Sequence, residues 1–259
     1  MSNEKIQISN KLNRSLKFIG RGSAFNTDEL NTSAYIKYNR TMLLIDCGEN
    51  IFSNIKKNGL LDDIDNIYIL ITHLHSDHVG SLSSLIFYMY YEKRIKANIL
   101  LFPNLELYLK LQGNIKGMHY NEIKSTFIDE LNLNFIITNE THEQMKESKI
   151  LRIDKDILIE ETKPILPSYG YKIIFKDKSK LYYTGDTSSF NKNMLKENNL
   201  IIYQDICSRD YPGNIHLSLK KLCEIVPREE RHKIYCMHLD TTKLSNLAQS
   251  EGFNIVSIE

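Results

Sequence analysis

Residues 71–82, ITHLHSDHVGSL, place His73, His75, Asp77 and His78 within six positions of one another. They follow the apolar run NIYILIT, whose length and composition predict a buried β-strand. Residues i and i+2 of an extended segment point the same way. His73 and His75 therefore leave the strand side by side, able to share one ion. Ser76 or Asp77 is suited to cap the next helix. That puts Asp77 and His78 in its first turn, aimed at a second ion. Neutral imidazole and carboxylate suit Zn, Mn or Fe. Crowded imidazoles removed from water are costly unless something binds them. The fold must therefore bring a strand end and a helix start to one place.

The same alternation runs through most of the chain. SLKFIGRGSAF reads as a strand entering a glycine turn, and SAYIKYNRTMLLIDCG as a hairpin turning at Asn39-Arg40. NIFSNIKKNGLL predicts a short amphipathic helix ending at Gly59, and HVGSLSSLIFYMYYEKR a longer one. ANILLFP predicts a strand, followed by a helix over 105–111. Between 113 and 151 the periodicity fades into a mixture of helices with a strand near NFIIT. Strands return in DILIEETKPI, YKIIFKD, KLYYTGDT, NLIIYQDIC and HKIYCMHLD, with a helix in SLKKLCEIVP. A chain of 259 residues, 42% hydrophobic, with strands and helices in alternation, predicts one α/β domain over 1–259.

Lys and Arg number 33 against 32 Asp and Glu, so net charge exerts no pull toward nucleic acid or an anionic membrane. Cys47, Cys207, Cys223 and Cys236 form no Cys-x-x-Cys pair and read as reduced, mostly buried thiols. The opening MSNEKIQISNKLNR lacks the apolar stretch of a secretion signal, and no apolar run has membrane length. The cytoplasm is the expected location, with no membrane partner.

Two more residues fit the histidine cluster. Asp186, in YTGDT, stands at a strand end, where one carboxylate can bridge two ions about 3.5–4 Å apart. His238 follows the strand of HKIYCMHLD. Alone they are as ordinary as a turn aspartate and a packed histidine. Beside residues 73–78 both become candidate ligands.

The whole set resembles the metallo-β-lactamase fold superfamily. The signature His-x-His-x-Asp-His stands as His73, His75, Asp77 and His78, the bridging aspartate as Asp186 and the last histidine as His238. The opening GRGSAFNTDELNTSAYIKYNRTMLLIDCGE, with Asp46-Cys47-Gly48, is similar to the ribonuclease Z-like branch. The resemblance covers nearly the whole chain except roughly residues 100–150. It implies a four-layer αββα sandwich, with two divalent ions, Zn or alternatively Mn or Fe, at the sheet edge between the halves. One family ligand is missing. Where a third histidine precedes the segment PSYGY, this chain has Lys163 and Pro164. Glu160, Glu161, His142 or water are the candidates to fill that place. The first ion, held by His73, His75 and Asp186, is expected to bind more weakly than the second, held by Asp77, His78, His238 and Asp186.

His216, in GNIHLSLKKL, matches the histidine that in ribonuclease Z-like phosphodiesterases protonates the leaving oxygen. Asp205, in YQDIC, takes the place of the acidic residue that orients it, usually Glu in the family. A carboxylate beside an imidazole fixes its tautomer and raises its basicity. The resemblance thus implies His216, Asp205 and Asp77 as catalytic residues. The implied reaction is in-line attack on phosphorus by hydroxide that the ions generate, with His216 as general acid. Ser168 or Tyr169 is a candidate to line the pocket.

Ribonuclease Z enzymes that grip tRNA carry a long basic arm, but here Lys180 follows Tyr171 by nine positions. A small phosphodiester fits better than a large nucleic-acid footprint. Arm-less relatives of the branch include cyclic-nucleotide phosphodiesterases such as the anti-Pycsar proteins. A cyclic nucleotide is therefore the implied substrate, and a homodimer the implied assembly. Two other readings remain: a hydrolase of a lactone or thioester on the same fold, and a binding protein with an incomplete metal site. The stripe Phe87, Tyr88, Tyr90 and Tyr91 reads as a core or dimer-facing helix, and His119 and His232 as surface or loop residues.

Overall fold

The computed structural model describes residues 15–101, 105–113, 118–122, 127–128, 133–134, 148–154, 157–162, 168–175 and 177–259. Strands β1 (Lys17–Gly20), β2 (Ser33–Tyr38) and β3 (Thr41–Ile45) form an antiparallel meander. The turn between β2 and β3 puts Asn39 at φ 52°, a left-handed conformation that Asn tolerates better than most residues. Strands β4 (Asn66–Leu70), β5 (Ala97–Leu101) and β6 (Met118–Glu122) then add in parallel to complete a six-stranded sheet in sequential order. The crossovers carry α1 (Ile51–Lys57), α2 (Ser76–Val79), α3 (Leu82–Tyr91) and α4 (Leu105–Leu111).

The second sheet has seven strands. In chain order they are β7 (Phe127–Ile128), β8 (Leu133–Asn134), β11 (Tyr171–Phe175), β12 (Lys180–Tyr183), β13 (Leu200–Asp205), β14 (Ile234–Met237) and β15 (Asn254–Ile255). The last four run parallel, and α5 (Leu219–Ile225) and α6 (Thr242–Ser250) lie between β13 and β15 in the chain. Among the described residues, β9 (Ser148–Asp154) and β10 (Ile157–Thr162) stand outside both sheets and pair with each other.

The period of two along each strand separates two cores. Leu181, Tyr183 and Tyr203 pack with residues of the first sheet, and the Phe18 ring sits 5.4 Å from that of Tyr203. Tyr182, Leu200 and Ile202 alternate with them and pack on α5 and α6 through Leu222, Leu244 and Ala248. On the far side, Ile51, Ile55, Leu85, Ile86 and Met89 bring α1 and α3 onto the first sheet. Two sheets face to face with helices outside make the expected αββα sandwich.

Several local expectations are corrected. The helix read over 78–94 breaks into α2 and α3 around Gly80-Ser81. A Cβ on Gly80 would lie 2.5 Å from both the Ser76 carbonyl oxygen and Glu49 Cγ. Neither Ser76 nor Asp77 caps α2: His75 holds the cap position with extended backbone and no side-chain bond. Between 113 and 151 the described elements are β6, β7, β8 and the start of β9, while the segment NFIIT beyond Asn134 and most of the stretch expected to mix helices lie outside the described residues. The cysteines, in contrast, match expectation: they are free, with Cys223 half-buried and the other three buried. Tyr88 rests on Phe52 with ring centroids 5.5 Å apart, and Tyr91 at the end of α3 is exposed. Among the described residues no helix is long and apolar enough to cross a membrane.

Candidate metal centre

Ligands in open α/β sheets gather outside the carboxyl ends of parallel strands. Here those ends come from both sheets. Asp46 follows β3, His73 lies three residues past β4, Asp186 follows β12, Asp205 ends β13 and His238 follows β14. Asp46 and His238 hold φ at 62° and 60°. For residues other than glycine this is a costly conformation, kept where the surroundings enforce it.

Backbone contacts set the histidine cluster in place. The Cys47 amide donates to the His78 carbonyl at 2.7 Å, and the Ser81 amide to the Cys47 carbonyl at 3.1 Å. So close is this approach that a Cβ on Gly48 would lie 2.0 Å from the Asp77 carbonyl oxygen. Opposite, Gly185 turns the chain with φ 61°, and a Cβ there would meet the Tyr169 carbonyl oxygen at 2.6 Å. Glycine alone meets both demands, and it delivers Asp186 to the centre.

The donors form two groups joined by one carboxylate. His73, His75 and Asp186 offer ligand atoms within 4.8 Å of one another, and so do Asp77, His78 and His238. Asp186 Oδ2 lies 3.4 Å from His73 Nε2, while Oδ1 lies 3.4 Å from both His78 Nε2 and His238 Nε2. Asp77 Oδ2 sits 3.3 Å from the same two Nε2 atoms. The structure thus brings together all six residues read as ligands, with Asp186 between the two groups.

Charge follows the geometry. Burial alone would raise the Asp186 carboxyl, but His238, His78 and His73 around it hold it well below the usual range. Burial would lower His238, yet Asp186 and Asp205 push it up to about 10. His73 is driven down by burial and by the neighbouring His78. The residues fit a divalent-cation pair on a further observation. His78 Nε2 and Asp186 Oδ1 are buried, face each other and have no hydrogen-bond partner. Such atoms are costly to leave unsatisfied, and a cation between them satisfies both.

A second layer of groups orients the ligands. Asp46, fully buried, accepts the Thr72 amide at 2.7 Å and the Thr72 hydroxyl at 2.9 Å, and its Oδ2 lies 2.8 Å from His78 Nδ1. Thr72 Oγ1 lies 3.0 Å from His73 Nδ1. Carboxylates and hydroxyls on the far ring nitrogen fix which nitrogen faces the metal. Neither Asp46 nor Thr72 was singled out for this role in the sequence. The one signal is that Asp46 opens the Asp-Cys-Gly run after an apolar strand.

Asp205 is also fully buried. Its Oδ2 lies 2.8 Å from His216 Nδ1 and accepts the Thr187 amide at 2.8 Å, and its Oδ1 lies 3.3 Å from His238 Nδ1. Its carboxylate faces the two imidazoles and has no exposed surface. His216 is half-buried, 3.9 Å from Asp186 Oδ2, with its ring 4.8 Å from that of His238. Asp77 stands among the ligands. Tyr169 is buried and donates its amide to the Thr72 carbonyl at 3.0 Å, so it packs the site instead of lining a pocket. The Ser168 hydroxyl is buried as well. Of the candidates for the missing ligand, His142 lies outside the described residues, as do Lys163 and Pro164 at the place it would fill, and Glu160 and Glu161 belong to β10.

A crystal structure of the metallo-β-lactamase fold protein YhfI from Bacillus subtilis matches with a TM-score of 0.64 at 14% identity, covering 93% of both chains. Human tRNase Z, short form, matches with a TM-score of 0.59 at 16% identity, covering 94% of this chain and 99% of that one. Both likenesses establish the metallo-β-lactamase fold. In sequence, the Anti-Pycsar protein Apyc1 of Paenibacillus harenae is 28% identical over 237 residues, 88% of this chain and 90% of that protein. That of Bacillus phage 010DV004 is 26% identical over 232 residues, 86% of this chain and 88% of its own length. The model of the family described as Anti-Pycsar protein Apyc1 matches residues 14–257, and the chain belongs to that family.

Proposed function

We propose that the chain is a metal-dependent phosphodiesterase that opens a small cyclic nucleotide. The observation that carries this reading is the His216–Asp205 pair, 2.8 Å between Nδ1 and Oδ2, set beside the bridging Asp186. A thiolate leaving a thioester has little need of an acid, whereas an alkoxide leaving phosphorus needs a proton. When bound, two divalent ions supply Lewis acidity and neutralise phosphoryl charge. His73, His75, Asp77, His78, His238 and Asp186 hold them.

The other residues position and protonate. Asp205 accepts the Nδ1 proton of His216, which leaves Nε2 as the atom that carries the transferable proton. Burial alone would lower the His216 imidazole, but the adjacent Asp205 carboxylate raises it above its ordinary value. It therefore stays protonated to higher pH. As the bond between phosphorus and the ring oxygen breaks, that proton passes to the departing oxygen. Water supplies the new oxygen on phosphorus, and the product is a linear nucleotide monophosphate.

Family membership and the balanced net charge of +1 support a small nucleotide over a long nucleic acid. The test is incubation of the zinc- or manganese-loaded protein with purine and pyrimidine 3′,5′-cyclic monophosphates, followed by chromatography. Linear monophosphate formation that a chelator abolishes supports the reading. Turnover of lactones or thioesters with no turnover of any cyclic nucleotide overturns it.

A further inference from the structure

β1 runs antiparallel to β2, and β2 antiparallel to β3. The carboxyl end of β1 therefore opens on the same sheet edge as Asp46 and the histidine cluster. The loop leaving it, residues 21–32, is closed on itself. The Gly22 amide donates to the Leu30 carbonyl at 2.7 Å, and Arg21 Nε donates to Glu29 Oε2 at 2.6 Å. It is also pinned to the residue after the ligand His238. The Ser23 amide and the buried Asn26 side chain both donate to the Leu239 carbonyl, at 3.0 and 2.8 Å. Between those two anchors stands Phe25, 96% exposed.

The loop that carries His216 repeats the arrangement. Ser208 donates from its amide and its hydroxyl to Asp240 Oδ2, at 2.9 and 2.6 Å. Buried Asn214 donates to the Arg209 carbonyl at 2.9 Å, and its Oδ1 accepts the His216 amide at 3.1 Å. This loop exposes Tyr211 and Ile215. Two pinned loops, anchored on residues 239 and 240 that follow His238 in the chain, thus carry apolar side chains exposed to solvent.

A single exposed apolar residue is ordinary on a protein surface. One whose backbone is anchored on either side, to the residue that follows a candidate metal ligand, is held in place for contact, because less backbone freedom is left to lose on binding. We propose that Phe25 is the stacking platform for the base of the nucleotide cleaved at this centre, an inference that rests on the phosphodiesterase reading above. A phenyl ring has no hydrogen-bonding group. The contact therefore recognises the flat face of a base and not its edge, and it accepts purines and pyrimidines alike.

The chain contains no tryptophan, so Phe25→Trp places the sole indole at this position. Its fluorescence is expected to be quenched by a nucleoside 5′-monophosphate added to the metal-loaded protein, and not by ribose 5-phosphate. Phe25→Ala is expected to raise KM for a cyclic nucleotide about tenfold or more. Its kcat, and its turnover of the base-free diester methyl p-nitrophenyl phosphate, should match wild type. Equal KM values for wild type and Phe25→Ala, in a wild type that does cleave cyclic nucleotides, overturn the platform and leave the phosphodiesterase reading intact. Dissociation of a dimer by Phe25→Ala, with KM unchanged, also overturns it, since Phe25 then contacts a second copy. If wild type cleaves no diester, the phosphodiesterase reading fails, and base-dependent quenching still decides whether Phe25 stacks.

Discussion

Asp205 joins a metal ligand to the proposed acid: its Oδ2 lies 2.8 Å from His216 Nδ1 and its Oδ1 3.3 Å from His238 Nδ1. Being fully buried, the carboxylate can reach a bound molecule only through these two rings. One group therefore sets the orientation of a candidate ion ligand and of the proposed acid.

Asp205→Asn keeps the shape and removes the charge. The Asp205 carboxylate raises His216 against the lowering effect of burial, so its loss lowers that imidazole. His216 then sheds its proton at lower pH, and the alkaline limb of the kcat profile moves to lower pH. The expected fall in kcat at neutral pH is on the order of 10²-fold, the lower range for a displaced general acid. A pH–rate series on both proteins checks it, and an unmoved alkaline limb contradicts the link.

His216→Ala removes the proton donor. Alkyl leaving groups should suffer a loss on the order of 10²–10⁴-fold. Bis(p-nitrophenyl) phosphate should be hydrolysed at close to the wild-type rate, because its leaving group needs no proton. Equal losses on both substrates would show that His216 acts on structure or metal instead.

Asp46→Ala tests the inner layer. It leaves the Thr72 amide and His78 Nδ1 without their acceptor. Metal affinity should fall about 10–100-fold, read by competition against a chromophoric chelator. The variant should also unfold at lower temperature in the metal-free state, since buried donors lose their partner.

The ligand set is legible in the sequence because its spacing is local. His73, His75, Asp77 and His78 are positioned by one strand exit and one helical turn, and local periodicity predicts both. Asp186, Asp205 and His238 are legible only through their company, as each stands at the end of a predicted strand. Asp46 and Thr72 are harder to read. Their role arises where β3 and β4 lie side by side, and no local pattern records which loop residues meet there. The break between α2 and α3 is hidden for the same reason. There a Cβ on Gly80 would meet Glu49 Cγ and the Ser76 carbonyl oxygen at 2.5 Å, a crowding that involves a segment distant in the chain. Strand β10 is legible in DILIEETKPI, but its partner β9 begins where the periodicity fades and is not, and the place of the pair beside the two sheets depends on contacts distant in the chain.

The two-cation centre is tested most directly by titrating chelator-treated protein with Zn²⁺ in a calorimeter. Two ions per chain with unequal affinities are predicted, both weakened by Asp186→Asn, because Asp186 Oδ2 faces His73 and Oδ1 faces His78 and His238. A single ion per chain, or none, would contradict it.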